Sequence, residues 1–202
     1  RKEREFKLRR AEILDQTEQI VSAKGFYGTT MAEIAEASGF AIGTLYQFFP
    51  GKEQLYTAMI TEKLDRMYAG IRAAADGATG ALEKIETLVA AQLGFVENHA
   101  SFCRIFIRGE HLTTPGGAEL RMRIMEDYAG HLAFVEEVMR EGIRTGVLRA
   151  MAPPVMAAAL QGIVNSFTFR WLTVGEDAKA SLQDDIPFVL DIFLKGVKND
   201  GS

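Results

Sequence analysis

The chain has 202 residues, 48% hydrophobic and 25% charged, with a formal net charge of −4. That balance excludes wholesale disorder and a surface that coats nucleic acid indiscriminately, and the length suffices to bury a real core. A lone Cys103 excludes an internal disulfide framework, and no run of about 18 apolar residues offers a membrane span, so a soluble cytoplasmic protein is expected.

The opening stretch RKEREFKLRR holds six of the eight Lys and Arg found in residues 1–52 and lacks the apolar core of a secretory signal. Residues 1–52 carry a net +1 and the remainder −5, which suits a local anionic contact. Apolar residues then recur at three and four along almost the whole chain, with no alternating strand pattern, so the expected fold class is all-α. A first helix carries Phe6, Ile13, Leu14, Ile20 and Val21 and stops at Gly25. Thr30 and Glu33 stand at capping-box spacing and predict a short helix over 31–37. Ser38-Gly39 turns the chain, Ala41 to Phe48 forms a second short helix, and Pro50-Gly51 breaks it. A longer helix follows over 52–75, and DGATG (76–80) marks a joint. Further helices are expected at roughly 80–99, 101–113, 117–145, 153–174 and 181–198, with Pro153-Pro154 at a helix start, where proline is tolerated.

Two helices of about two turns each, joined by a Gly-containing turn behind a long helix, make a helix-turn-helix. Met31, Ile34 and Ala35 line one face of the first short helix; Ile42, Leu45 and Phe49 are expected to line one face of the second. That leaves Gly43, Thr44, Tyr46 and Gln47 facing outward. Glycine permits close backbone approach to base edges, threonine offers a hydroxyl and a methyl, and a phenol or amide can bond phosphate oxygens. Lys52 adds its charge at the start of the long helix, and Thr30 caps its own helix beside the backbone. The basic N-terminal arm adds a sequence-blind, salt-sensitive attraction. Duplex DNA is the partner these groups fit; a purely structural three-helix unit is the bland alternative.

The stretch GFYGTTMAEIAEASGFAIGTLYQFFPGKEQLYTAMI resembles the N-terminal signature of the TetR family of bacterial transcriptional regulators. It carries a Gly-aromatic pair, a double Thr, an Ile-Ala-x-x-[AS]-Gly turn, a Gly-Thr-Leu-Tyr recognition helix and a Lys-Glu-x-Leu opening, in order over about 50 residues. Ala41 and Ile42 stand where polar residues are common, and Phe48 where His or Tyr is frequent, which implies an altered base preference. The resemblance implies a helix-turn-helix DNA-binding domain over 1–51, a connecting helix over 52–75, and an effector-binding and dimerisation domain over 76–202. It further implies a homodimeric repressor on a palindromic operator, paired through the helices at 153–174 and 181–198, with no cofactor.

The family's C-terminal domain usually holds a small molecule. Phe95, His99, Phe102, Phe106, Tyr128, Phe134, Phe167 and Trp171, with His131, are the residues expected to line such a pocket, and its occupant is expected to be apolar or amphipathic. Ordinary core packing is the alternative for each. A second alternative is a regulator that is constitutive or controlled by a protein partner. A third is a metal-dependent helical enzyme built on His99, Cys103, Glu97, Glu110 and His111. That reading needs one helix through His99 and Cys103, whereas NHAS looks like a helix end followed by a serine cap. No metal is therefore expected.

Overall fold

The first helix, α1 (Lys2–Lys24), carries two exposed ion pairs near its start, Glu3 with Lys7 and Glu5 with Arg9, which add modestly to its helicity. Each acid stands one turn before its base, the favourable order. Further along, Ile13, Leu14, Thr17 and Val21 turn inward, and Glu18 goes with them because the Lys63 ammonium lies 2.8 Å from its carboxylate. Gly25 ends the helix at φ +77°, and a Cβ there would collide with the Glu110 carboxylate.

α2 (Met31–Ala37) begins with the full capping box: the Glu33 N–H donates to Thr30 Oγ1 at 3.2 Å, and the Thr30 N–H donates to the Glu33 carboxylate at 3.0 Å. Gly39, at φ +70°, makes the turn into α3 (Ile42–Phe48). The expectation that Ile42 is core does not hold, since it is 46% exposed. At 100° per residue Ile42 lies only about 40° from the mean direction of Leu45 and Phe49, so its exposure comes from its place as the first residue of α3 and not from its face.

α4 (Lys52–Asp76), α5 (Ala81–Asn98), α6 (Ala100–Arg108), α7 (Gly117–Arg144), α8 (Pro153–Thr173) and α9 (Ile186–Val197) complete the order. The computed structural model describes residues 2–173 and 180–198, so the expected helix end at 174 lies outside them. Two expected helices are shorter than the spacing predicts. Gly109, at φ +67°, stops α6 ahead of a 3₁₀ turn at Glu110–Leu112, and Ser181 caps a second 3₁₀ turn, Leu182–Asp185, before α9. The described residues are all-α, with one isolated bridge between Leu148 and Lys198.

The chain divides into two units. The first holds the residues to Leu64 and Ser101–Ile124, with a core of Ile13, Val21, Ile34, Leu45, Leu55 and Ile60. The second holds Asp65–Ala100 and the residues from Met125 on; there α5 packs on α8 and α9 around Leu88, Leu93, Leu160, Val164, Val189 and Phe193. α4 contributes its first half to one unit and its second half to the other.

Candidate nucleic-acid interface and ligand cleft

On α3 the inward work is done by Leu45, fully buried, and by Phe49 just past its end. Gly43 and Gln47 are exposed, Tyr46 is 50% exposed and Thr44 is half-buried. A Cβ at Gly43 would meet nothing within 4 Å, so the helix surface is open to close approach there. The start of α3 has no side-chain cap, because Ala41 supplies none. Thr30 is exposed at the start of α2, its hydroxyl tied into the capping box.

The Lys52 ammonium donates to the carbonyls of Phe26 and Thr29, both at 2.9 Å, and sits 4.4 Å over the Phe26 ring. Two of its three protons therefore hold the loop that feeds α2, and one remains for a further acceptor. That loop is gripped from the other side as well. The Phe26 N–H donates to the Glu110 carboxylate, the Tyr27 hydroxyl donates to the Thr113 carbonyl at 2.8 Å, and Arg108 reaches the Val21 carbonyl at 3.3 Å. Burial, and secondarily the charge of Glu110, pushes the Tyr56 phenol well above its ordinary value. None of this grip was legible beforehand, because Glu110 stands 84 positions from Phe26.

The residues expected around an effector fall into both units. Phe102 and Phe106 belong to the first, with ring centroids 5.2 Å apart and Phe102 only 2% exposed. The other six belong to the second. Phe95 and His99 lie ring to ring at 4.4 Å, Phe167 lies 5.4 Å under the Arg170 guanidinium, Trp171 donates to the Ala180 carbonyl at 2.8 Å, and Tyr128 is exposed. Phe134, 4.4 Å under Arg72, lines a cleft of about 230 Å³.

The other walls of that cleft are Tyr68 and His131 with the carboxylates of Asp65, Glu126 and Asp127. His131 is 5% exposed, its Nε2 is 3.1 Å from Gln161 Oε1, and its ring stacks on Tyr68 at 5.1 Å. Gln161 continues the chain, donating to Asn165 Oδ1 at 2.9 Å. Burial holds His131 below the ordinary histidine value, and burial with the neighbouring Asp127 pushes Tyr68 up to about 12, so both are neutral at pH 7. Tyr68 and Arg72 are four apart on α4, and Asp127, His131 and Phe134 are four and three apart on α7; that spacing was the available signal for this wall.

His99 ends α5 and Cys103 lies within α6, so no single helix carries both. Among the described residues no group of three His, Cys, Asp or Glu is placed to hold a metal ion. Burial pushes the Cys103 thiol up to about 12. No helix of the described residues is long and apolar enough to cross a membrane.

α8 and α9 leave large apolar side chains in the open. Val155 and Phe169 on α8 are 61% and 58% exposed, and Phe188 and Ile192 on α9 are 62% and 55% exposed. Val155, Ala159, Gly162, Ser166 and Phe169 follow one another at three and four, so they form one stripe down α8.

The sequence profile of bacterial regulatory proteins of the tetR family matches residues 13–59, which run from within α1 through α2 and α3 into α4. The fatty acid metabolism regulator protein of Bacillus subtilis (strain 168) is 23% identical over 192 residues, covering 93% of this chain and 95% of its own. Among solved structures, the fatty acid degradation regulator FadR from Bacillus halodurans superposes with a TM-score of 0.78 at 24% identity, over 93% of this chain and 95% of its own. AibR, solved in complex with isovaleryl coenzyme A and operator DNA, superposes with a TM-score of 0.73 at 23% identity, over 91% and 97%. The profile lies on the same three-helix unit that presents the open edge of α3, so residues 13–59 carry the helix-turn-helix segment of the tetR family of bacterial regulatory proteins.

Proposed function

We propose that this regulator acts in the cytoplasm as a homodimeric repressor. Each copy lays α3 in the major groove of one half of a palindromic operator, and a small amphipathic effector releases it. The observation that carries the reading is the open edge of α3 on a buried Leu45–Phe49 support. Gly43 allows the backbone to approach base edges, Thr44 and Gln47 read them, and Tyr46 and the third proton of Lys52 bond phosphates. Thr30 faces the same backbone from the start of α2. In this reading residues 1–51 bind DNA, 52–75 connect, and 76–202 bind effector and pair the copies.

The exposed stripe of α8 and the Phe188–Ile192 face of α9 are the pairing surface, since an apolar face of that size needs a neighbour. Two-fold pairing makes the operator a palindrome. The effector class is an acyl thioester of coenzyme A. AibR carries isovaleryl coenzyme A, and in this chain the second unit offers a cleft with aromatic walls (Tyr68 and Phe134), polar orienters (Arg72 and His131) and three carboxylates (Asp65, Glu126 and Asp127). It is therefore the uncharged acyl end that enters the cleft, while the anionic coenzyme A moiety stays outside. The chain catalyses nothing in this scheme. An effector shifts operator affinity only by its preference between two states, typically about 5- to 150-fold.

Selection of bound duplexes from genomic fragments tests the first part: a palindrome with half-sites about one or more helical turns apart is expected. Titrating a series of acyl-CoA thioesters of increasing chain length into that complex tests the second. Binding indifferent to sequence would overturn the operator assignment, and release by none of the thioesters would overturn the effector class.

A further inference from the structure

The first two turns of α1 extend beyond the core: residues 2–9 are all exposed, and the first buried side chain is Ile13. Phe6 sits on this extension and stacks on Phe48, the last residue of α3, with centroids 4.5 Å apart and planes 25° apart. One turn further along the same face, Arg10 lies 5.0 Å over the Phe49 ring and pairs with Glu62 of α4. Phe6 and Arg10 thus meet successive residues at the C-terminal end of α3.

α3 needs such support. It has seven residues and no side-chain cap, and a helix that short has little stability of its own. Leu45 and Phe49 fix its depth, but a two-point anchor leaves rotation about their line poorly determined. The extension can restrict that freedom because it continues α1 without a break, and the exposed Glu3–Lys7 and Glu5–Arg9 pairs add modestly to its helicity. Those pairs, with Arg10–Glu62, also occupy three of the five cations in residues 2–10 with carboxylates, so its positive charge is less available than the count suggests.

We infer that Phe6 is a positioning residue for operator recognition: by stacking on Phe48 it fixes the orientation in which Gly43–Gln47 meets the bases. The inference rests on the operator-binding reading above, and one experiment separates the two. Wild type, Phe6→Ala, Phe48→Ala, the double variant and Phe6→Tyr are titrated against the wild-type-selected duplex and a scrambled duplex at several salt concentrations. Each single alanine change lowers affinity for the selected duplex roughly two- to tenfold, the range of an aromatic pair. Affinity for the scrambled duplex and the salt slope stay as in wild type, since no phosphate contact is lost. The double variant loses no more than the weaker single, and Phe6→Tyr, which keeps the ring, binds as wild type. If wild type selects no duplex, the regulator reading fails and this inference with it. If wild type selects one but Phe6→Ala binds it equally well, or loses affinity equally for the scrambled duplex, or the two losses multiply, only the inference is overturned.

Discussion

The α2–α3 pair and the α8–α9 pair solve opposite problems. α2 and α3 have seven residues each, so almost every side chain has a separate geometric duty: Thr30 and Glu33 cap, Leu45 anchors, Phe48 stacks, and Gly43 keeps a surface open. α8, with 21 residues, is held by a long apolar seam in which Met156, Leu160 and Val164 are interchangeable in kind. Its outer stripe, from Val155 to Phe169, is uncovered, and Ala159, Gly162 and Ser166 set those two large apolar side chains apart. A short helix therefore advertises its partner through specific residues, and a long one through the amount of apolar surface it leaves bare.

If bare surface marks the pairing face, the largest effect comes from placing charge there. Phe188→Asp with Ile192→Asp should convert the dimer to monomer by sedimentation and lower operator affinity by about a hundredfold or more, as expected of two central interface positions. A dimer that survives both changes would move the interface elsewhere. Next in size is the buried pair within the first unit. Glu18→Ala strands the Lys63 ammonium, whose side chain is 14% exposed, and should cost about 3 kcal/mol in chemical denaturation without changing base preference. Smaller again are changes on the open edge of α3. Tyr46→Phe should weaken every duplex alike by roughly two- to tenfold, the worth of one hydrogen bond, whereas Thr44→Ala should alter which base is preferred. Equal behaviour of the two variants would blur the division between phosphate and base contacts.

The smallest effect concerns pH, and each unit contributes one histidine. Burial holds His111 in the first unit and His131 in the second below the ordinary value of 6.5. Both take up a proton less readily in the folded state than in the unfolded chain, which does so near 6.5, so unfolding binds protons as the pH falls below that value. Stability is therefore fully present above about 6.5 and declines as pH falls below it. Thermal unfolding between pH 7.5 and 5 should show this, and His111→Gln or His131→Gln should each flatten the slope by its own share.

What was legible in the sequence follows from how far apart the cooperating residues stand. Thr30 and Glu33 are three apart, and the capping box lies where its spacing put it. Gly25 and Gly39 mark turns because positive φ demands them. Ile42 deceived because its spacing puts it on the face of Leu45 and Phe49, yet it opens the helix, and its side chain stays 46% exposed at that end. The cleft was legible only in part. Phe134 and His131 stand out as an aromatic and a histidine on one helix, but the Gln161 that holds His131 comes 30 residues later. Aromatic character alone could not separate Phe102 and Phe106 from the rest, because the chain passes from one unit to the other and back around them.

The Glu110 carboxylate at the Gly25–Phe26 backbone has a practical corollary for anyone wishing to transplant the DNA-reading head onto another sensor. A fragment cut after Leu64 would leave behind the acid, the Arg108 guanidinium and the Thr113 carbonyl that fasten the entrance to α2. The head is thus not a cassette, and a working chimera has to carry residues 101–124 along with it.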